Sequence, residues 1–269
     1  MVRGGRPSPA PPPVRHPRTT AWWQALSGIA VLNIALWFAA RSGAPETEYA
    51  VRQIVLAGIF TAVCAYRSFL PRIDLERYVL VDSPWSSVFL GRAAATVAEI
   101  AFAAQCALVL RGLATAAGLP FVASAAWAAI PLLALAQVFC WYSVLSLDHT
   151  GHAIEESIWG GTHALIGLGL GACAYALSGT LGTIAFLGLI LEVGYVTFMF
   201  TVDVPMYLER RRRGRPEDHL GPGEGLMDAM TRRVATRDWT IWRPETAWLT
   251  GYFSGAVWIS LAMVFVPVG

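Results

Sequence analysis

Long apolar runs alternate with short polar segments along almost the whole chain. Each run approaches the roughly 20 residues that an α-helix needs to cross a bilayer. The pattern therefore predicts an all-α fold, a polytopic integral membrane helical bundle with about seven transmembrane helices. The predicted spans are residues 22–40, 50–70, 93–110, 121–147, 158–177, 181–206 and 247–266.

The polar segments predict the domain organisation. Residues 1–20 are rich in proline and arginine and predict a disordered cytoplasmic tail. A six-helix transmembrane core follows at 21–206, then a basic cytoplasmic loop at 207–245 and a seventh transmembrane helix at 246–269. Within the loop, Leu226, Met230 and Val234 recur every four residues, which predicts a short amphipathic helix on the membrane surface. A solvated linker helix is the alternative.

Two further segments bear on topology. The first apolar run is longer than the 7 to 15 residues of a signal-peptide core, so we expect a retained anchor. A cleaved signal peptide is the alternative, because small residues follow at 39–44. Residues 71–92 carry charges too dense for the bilayer interior. We expect this segment to lie along the surface, with Tyr78 and Trp85 at the level of the lipid headgroups.

Composition supports a membrane class and excludes one kind of chemistry. Apolar residues make up 55% of the chain and charged residues 14%, which is too apolar for a soluble domain of this length. All 20 basic residues are arginine, so Schiff-base chemistry on a lysine, including retinal binding, is excluded. Seventeen arginines fall in the tail and in the second and sixth loops, which predicts an N-in, C-out orientation. In a bacterium this would be the plasma (inner) membrane. The remaining three are Arg41, Arg52 and Arg111.

The four cysteines fall singly in different predicted spans, without a CxxC pair. They are typical of small apolar packing residues, and neither a disulfide framework nor a thiolate metal site is indicated. They are Cys64, Cys106, Cys140 and Cys173.

The segment DHTGHAIEESIWGGTH, residues 148–163, concentrates three of the five histidines between two apolar runs. If it is helical, four side chains lie at offsets 0, 3, 7 and 14 and share one face. Imidazole and carboxylate groups are ordinary ligands of zinc, iron or manganese, so the predicted cofactor is a divalent metal ion. The candidate ligands are His149, His152, Glu156 and His163.

Three alternatives stay open for this segment. Glu155 is an alternative to Glu156 as the inward-facing acid. Gly151, Gly160 and Gly161 weigh against one continuous helix, since glycine is a poor helix former. The segment would otherwise be a hydrated loop whose two acids stabilise the positive end of the next helix.

Depth in the bilayer provides a second argument. A charged side chain inside a lipid-facing helix costs on the order of 2.5 to 3.5 kcal/mol, so it normally faces a protein interior. Glu99, Glu192 and Asp203 are such acids, and with His163 they are predicted to meet at a common depth in a hollow open to the cytoplasm. Gln105 and Tyr142 would extend this lining. Alternatively, each acid is protonated and bonded to a nearby threonine, such as Thr96 or Thr201.

Two functional classes follow from these residues. The first is a membrane-embedded enzyme in which Glu99, Glu192 or Asp203 acts as general acid or base on a lipid or isoprenoid-type substrate, with or without the metal. The second is a proton-coupled transporter or carrier that uses the same carboxylates. A scaffold or sensor acting through the basic loop is a third class. The expected partners are membrane lipids and an amphiphilic small molecule, and no nucleic-acid module is indicated.

Overall fold

The computed structural model describes residues 17–214 and 218–268, and most of them are helical. Within these ranges, six helices are long and apolar enough to cross a membrane, which confirms the expected class, an all-α membrane bundle. They cover Pro17–Gly43, Glu48–Phe69, Val88–Ala116, Pro120–Ser146, Gly179–Arg213 and Trp239–Phe265. The predicted tail lies outside the described residues as far as residue 16, and residues 17–20 already belong to the first helix.

Several of these spans are composite. The helices are α1 (Pro17–Gly43), α2 (Glu48–Phe69), α3 (Val88–Ala116), α4 (Pro120–Ala125), α5 (Ala129–Ser146), α6 (His149–Ala176), α7 (Gly179–Phe198), α8 (Val204–Arg213), α9 (Pro222–Thr231), α10 (Trp239–Gly251) and α11 (Val257–Ala262). A 3₁₀ turn at Ala126–Ala128 joins α4 to α5. Single π-helical turns at Met199–Asp203 and Tyr252–Ala256 join α7 to α8 and α10 to α11.

Helix α6 contains the histidine-rich segment 148–163 from its second residue onward. Its 28 residues reach about 42 Å at 1.5 Å per residue, which exceeds the thickness of a bilayer core. Histidines, acids and glycines in its first half lower its hydropathy, so it is not among the six apolar helices. It packs between α5 and α7. Helix α6 thus carries histidine and acid side chains into the bundle.

Consecutive helices pack side by side, and α11 closes the bundle against α1 and α2. A buried polar link fastens this closure. The amide of Gln105 on α3 donates to the Ser260 carbonyl at 3.1 Å, and the Ser260 hydroxyl donates to Gln105 Oε1 at 2.6 Å. Gln53 on α2 donates to the Gln105 carbonyl at 3.1 Å. Gln105, expected to line the polar hollow, therefore holds helices together elsewhere.

A small cap covers the end of the bundle where α3 and α6 begin. It consists of residues 71–87 and 218–238 and contains a three-stranded sheet in which Tyr78–Val79 pairs antiparallel with Arg72–Ile73 and parallel with Val234–Ala235. Arg77 is fully buried beneath this sheet. Its guanidinium donates to Asp228 Oδ2 at 2.7 Å and to the Val144 carbonyl at 2.8 Å, which fastens the cap to α5.

Helix α9 of the cap begins at Pro222, within the loop where an amphipathic helix is predicted. It packs on α5 through small residues, Gly225 and Ala229. Leu226 and Met230, which carry the apolar periodicity, lie on its exposed side. The apolar stripe therefore does not dock on the bundle. The opposite face of α9 does, because it contains Asp228, which binds Arg77, and Gly225, which packs against the backbone of Leu145.

Gly225→Ala should destabilise the protein by about 1 to 3 kcal/mol, because a Cβ there would lie 1.8 Å from the Leu145 carbonyl oxygen and would overpack the contact between α9 and α5. Equilibrium unfolding in mixed micelles measures the change. Gly223→Ala is the matched control, since nothing lies within 4 Å of its Cβ. It should be neutral or stabilising by up to about 1 kcal/mol through helix propensity. Equal losses in both variants would contradict the docking described.

Candidate metal centre

The predicted segment begins a helix at its first histidine. Asp148 is the N-cap residue of α6, and its carboxylate accepts hydrogen bonds from the Thr150 amide at 2.9 Å and the Thr150 hydroxyl at 2.7 Å. Partial burial opposes ionisation of Asp148, but these hydrogen bonds hold its pKa below the ordinary value. Gly151 permits close packing on α5, since a Cβ there would lie 2.4 Å from the Phe139 carbonyl oxygen. Helix α6 is therefore continuous from His149 to Ala176 despite its glycines.

One potential metal-binding group lies between α5 and α6. Ligand atoms of Cys140, His152 and Glu155 all fall within 4.8 Å of one another, and all three residues are buried. His152 and Glu155 are one helical turn apart and are joined by a hydrogen bond of 2.7 Å between Nδ1 and Oε2. Cys140 reaches them from the neighbouring helix. Among the described residues, this is the His/Cys/acid group with metal-binding spacing.

The donor set suits a borderline metal ion. Thiolate, imidazole and carboxylate are the ligands that zinc uses in proteins, and iron accepts the same combination. Three protein ligands leave a fourth position for water or substrate, the arrangement of catalytic rather than structural zinc sites. The group can therefore hold a cation and present it to a further molecule.

A second polar network, on α3 and α5, lies next to this group. Arg92 Nη2 pairs with Glu99 Oε1 at 2.6 Å, and the Gln137 amide donates to Glu99 Oε2 at 2.6 Å. Thr96 donates to Gln137 Oε1 at 3.0 Å. Gln137 is three residues before Cys140, so both side chains leave the same part of α5. This network satisfies the buried Glu99 and fixes the wall against which the metal-binding group lies.

Two acids, Asp203 and Glu156, lie near the metal-binding group and the Glu99 network. Their carboxylates accept no hydrogen bond from the described residues. Asp203 is the last residue of the π-turn after α7 and is buried. It interacts electrostatically with Glu155, His152 and Arg210, and Glu156 interacts with Asp203 and Glu99. These two carboxylates therefore remain available for a ligand or for proton transfer.

His163 and Glu192 form a separate pair deeper in the bundle. His163 Nδ1 lies 2.7 Å from Glu192 Oε2, across the contact between α6 and α7. Trp159 stacks on the imidazole at 5.6 Å, and the Tyr195 ring lies 4.5 Å from it. His163 is eleven residues beyond His152, which is about 16 Å along the helix axis.

The structure therefore brings together only part of the predicted site. Glu99, Asp203 and His152 belong to one region, whereas His163 and Glu192 bind each other at another depth. The four groups predicted to share one hollow do not converge on it. Glu99 and Glu192 are instead paired with their own basic or amide partners, since an unpaired charge in this setting is costly.

His149 and Glu156 of the predicted ligand set lie beside the metal-binding group rather than in it. The His149 ring is 6.1 Å from the Tyr207 ring, and its Nδ1 is buried without a hydrogen-bond partner among the described residues. It contributes to a cavity of about 350 Å³ at the cap end of the bundle. The cavity is lined by Leu147, Asp148, His149, Thr150, Arg211, Gly214, Asp218 and His219. Tyr142, predicted to line the hollow, is largely exposed and bonds Asp148 at 3.2 Å.

Sequence reasoning missed Cys140, Arg92 and Gln137. Arg92 and Glu99 are seven residues apart on one helix, a spacing that places both on one face and indicates a pair. No comparable signal marks Cys140, which resembles the other three buried or half-buried cysteines until α5 and α6 are placed side by side. Glu155, named as the alternative acid, is the one that joins His152.

Comparison with known proteins adds no assignment. No protein-family model matches the chain, and neither a curated protein nor a solved structure is significantly similar to it. The function is therefore argued from the geometry alone.

Replacing Glu99 by Leu should cost about 3 to 5 kcal/mol of stability, because it leaves the buried Arg92 guanidinium unpaired. The double variant Arg92→Met/Glu99→Leu should recover most of the loss, since an apolar pair removes the stranded charge. Unfolding titrations of both variants measure this coupling. Glu48→Gln, in an exposed pair with Arg52, serves as control and should change little. A double variant as unstable as the single one would contradict the pairing.

Proposed function

We propose that this protein is a membrane-embedded, metal-dependent enzyme whose active centre lies between α3, α5, α6 and the π-turn before α8. The observation that carries the proposal is the buried group formed by Cys140, His152 and Glu155, with ligand atoms within 4.8 Å of one another. A packing cysteine has no need of an imidazole and a carboxylate at this distance. A bound metal ion would use all three as ligands.

The proposed topology has seven crossings with the amino terminus in the cytoplasm. Helix α6 supports the seventh crossing through its length and through its position between two apolar spans. The excess of arginine in the tail, in residues 71–92 and in the sixth loop supports the orientation. With this topology the cap is cytoplasmic and the metal-binding group lies in the cytoplasmic half of the bilayer.

In the proposed centre, each side chain has a defined task. Cys140, His152 and Glu155 hold the ion, which when bound supplies a Lewis acid that polarises an oxygen of water or substrate. Asp203 or Glu156, on the side facing α8, serves as the general acid or base. Glu99 acts as a positioning residue, because both of its oxygens are occupied by Arg92 and Gln137. Glu192 is paired with His163 at another level and is assigned no part in this reaction.

The proposed substrate is an amphiphilic molecule of the lipid or isoprenoid type. Burial of the centre within apolar helices supports this choice, since a molecule that partitions into the bilayer reaches such a site without crossing an aqueous barrier. Its polar group would meet the ion and the nearby carboxylates, and its chain would lie among apolar side chains.

Purified protein should contain roughly one equivalent of zinc or iron per chain by elemental mass spectrometry, because a three-ligand site of this type binds such ions tightly. Cobalt substitution should produce a sulfur-to-cobalt charge-transfer band in the near ultraviolet. Cys140→Ser should abolish that band, and His152→Ala and Glu155→Gln should each lower metal affinity at least about tenfold.

Two matched controls accompany the metal measurement. Cys173→Ser removes another fully buried cysteine, and His163→Ala removes the other buried histidine of α6. Both should leave the cobalt spectrum and metal content unchanged. If the metal-free parent protein takes up neither cobalt nor zinc, the proposal of a metal-dependent enzyme is wrong.

One observation favours the second candidate, a proton-coupled carrier. The pair between His163 and Glu192 lies at the contact with α7, whose other surfaces are largely exposed. A titratable pair under a peripheral helix is the arrangement through which a carrier would couple protonation to helix movement. The polar groups of α6 would then form a proton path from the cap to this pair.

For the carrier, Glu192→Gln should abolish proton uptake into reconstituted vesicles, because the amide neither accepts nor releases the proton. A pH-sensitive dye inside the vesicles measures the flux. Glu46→Gln, in the short turn between α1 and α2, should leave the flux unchanged. Parent vesicles without proton movement under an imposed gradient would remove this alternative and leave the enzyme unaffected.

A further inference from the structure

Helix α10 faces α8 and the end of α7 across a seam that side chains close. The backbones of α8 and α10 make little contact with each other, in contrast to the tight packing between α6 and α7. Arg210 on α8 pairs with Glu245 on α10 at 3.3 Å. Less than one turn further along α10, the ring of Trp248 stacks at 5.8 Å, with an interplanar angle of 9°, on the ring of Phe198 at the end of α7. The seam thus has a polar contact at its cap end and an aromatic contact within the apolar region.

Both helices that form the seam are irregular at its inner edge. A π-turn at Met199–Asp203 precedes α8, which has Pro205 in its first turn. On the other side, α10 contains Pro244 and is followed by the π-turn Tyr252–Ala256. Proline and π-turns interrupt the regular hydrogen bonding of a helix and are common at functional sites. Both walls of the seam therefore depart from regular α-helical geometry.

Each closing contact leads directly to the candidate centre. The Arg210 guanidinium lies 5.6 Å from the centroid of the Tyr207 ring, and that ring lies 5.0 Å from the imidazole of His152. Deeper in the seam, Trp248 stacks on Tyr252 at 5.6 Å, and Tyr252 interacts electrostatically with Glu99. On the Arg210 side, the ring of Tyr207 therefore connects the seam to His152 of the metal-binding group.

The outer side of the seam is apolar. Helix α7, which continues into α8, buries only Gly182 and Ala185 among its described residues. Its large apolar side chains face outward, where acyl chains would surround them. They include Phe186, Leu187, Ile190, Leu191 and Val193. A chain-like molecule leaving the seam would thus lie against an apolar helix face.

We propose that the seam between α8 and α10 is the entrance to the active centre, that Phe198 and Trp248 close it, and that it admits a single-chain amphiphile from the bilayer. The polar group of the amphiphile passes beneath the Arg210–Glu245 pair toward Tyr207 and His152, while its chain stays against α7. This inference rests on the proposed function for the reaction at the metal-binding group, but the entry route is independent of it. The competing route is aqueous, through the cavity between Leu147 and His219.

Cys140 provides a direct readout of the route, because its thiol lies in the proposed centre. In a Cys64→Ala/Cys106→Ala/Cys173→Ala background it is the single thiol of the chain. Vesicles containing this chelator-treated protein are exposed to pyrenylmaleimide, which partitions into the bilayer, or to a charged methanethiosulfonate, which stays in water. Mass spectrometry of the intact protein gives each labelling rate.

Trp248→Ala should accelerate labelling by pyrenylmaleimide about two- to tenfold, because a stacked aromatic pair contributes about 0.5 to 1.5 kcal/mol to closure. Labelling by the charged reagent should not change. Trp258→Ala is the matched control, since Trp258 has a similar exposure (48% against 42% for Trp248) but bonds Asn33 on α1. It should alter neither rate.

The polar contact gives an independent arm. Glu245→Arg should speed labelling by pyrenylmaleimide through repulsion of Arg210, and the exchange Arg210→Glu/Glu245→Arg should restore the parent rate. The proposal is overturned if Trp248→Ala leaves the rate of labelling by pyrenylmaleimide unchanged. This holds both if the charged reagent labels Cys140 and if neither reagent does. Metal content of the same variants is measured separately, so an absent metal would refute the enzyme while the labelling still decides the route.

Discussion

The cost of placing a charge inside an apolar bundle is the constraint on which this structure depends. A chain that is 55% apolar nevertheless carries arginine, acids and histidine into helices α3 and α6, which both pack against α5. Each such group must find a partner, because an isolated charge loses its hydration without compensation. Arg92 and Glu99 satisfy each other with Gln137, and His152 satisfies Glu155. These pairings decide which faces of the three helices meet.

The same constraint organises the end of the molecule at the cap. Arg77 is completely buried and directs its guanidinium to one carboxylate and two backbone carbonyls. This single side chain joins the sheet, α9 and α5, so the cap sits in a fixed position over the polar helix ends. The cap and the core are thus held by buried polar contacts, whereas α8 and α10 make little backbone contact with each other, and the proposed entrance lies between them.

The two candidate functions use polar groups at two different levels of α6. The group around His152 joins α5 and α6 and includes a thiol, which a proton path does not need. The pair between His163 and Glu192 joins α6 and α7 and contains only an imidazole and a carboxylate. About 16 Å along α6 separates the metal-binding group from this pair. A test that rejects one of them as a functional site therefore leaves the other unaffected. The metal-binding group carries the stronger argument, because three different ligand types converge there.

The sequence alone determined the class of the protein, a helical membrane bundle. The length and composition of each apolar segment are local properties, and they decide whether the segment can cross a bilayer. The polar segment at 148–163 and the depth of Glu99 and Asp203 were visible for the same reason. Tertiary structure alone decided that Cys140 joins His152, that Glu155 rather than Glu156 is the partner, and that α9 docks by its small residues. These outcomes depend on rotation of one helix about its axis relative to another, and a rotation of about 100° per residue separates Glu155 from Glu156. Spacing within one helix fixes which side chains share a face, but only packing between helices fixes what that face meets.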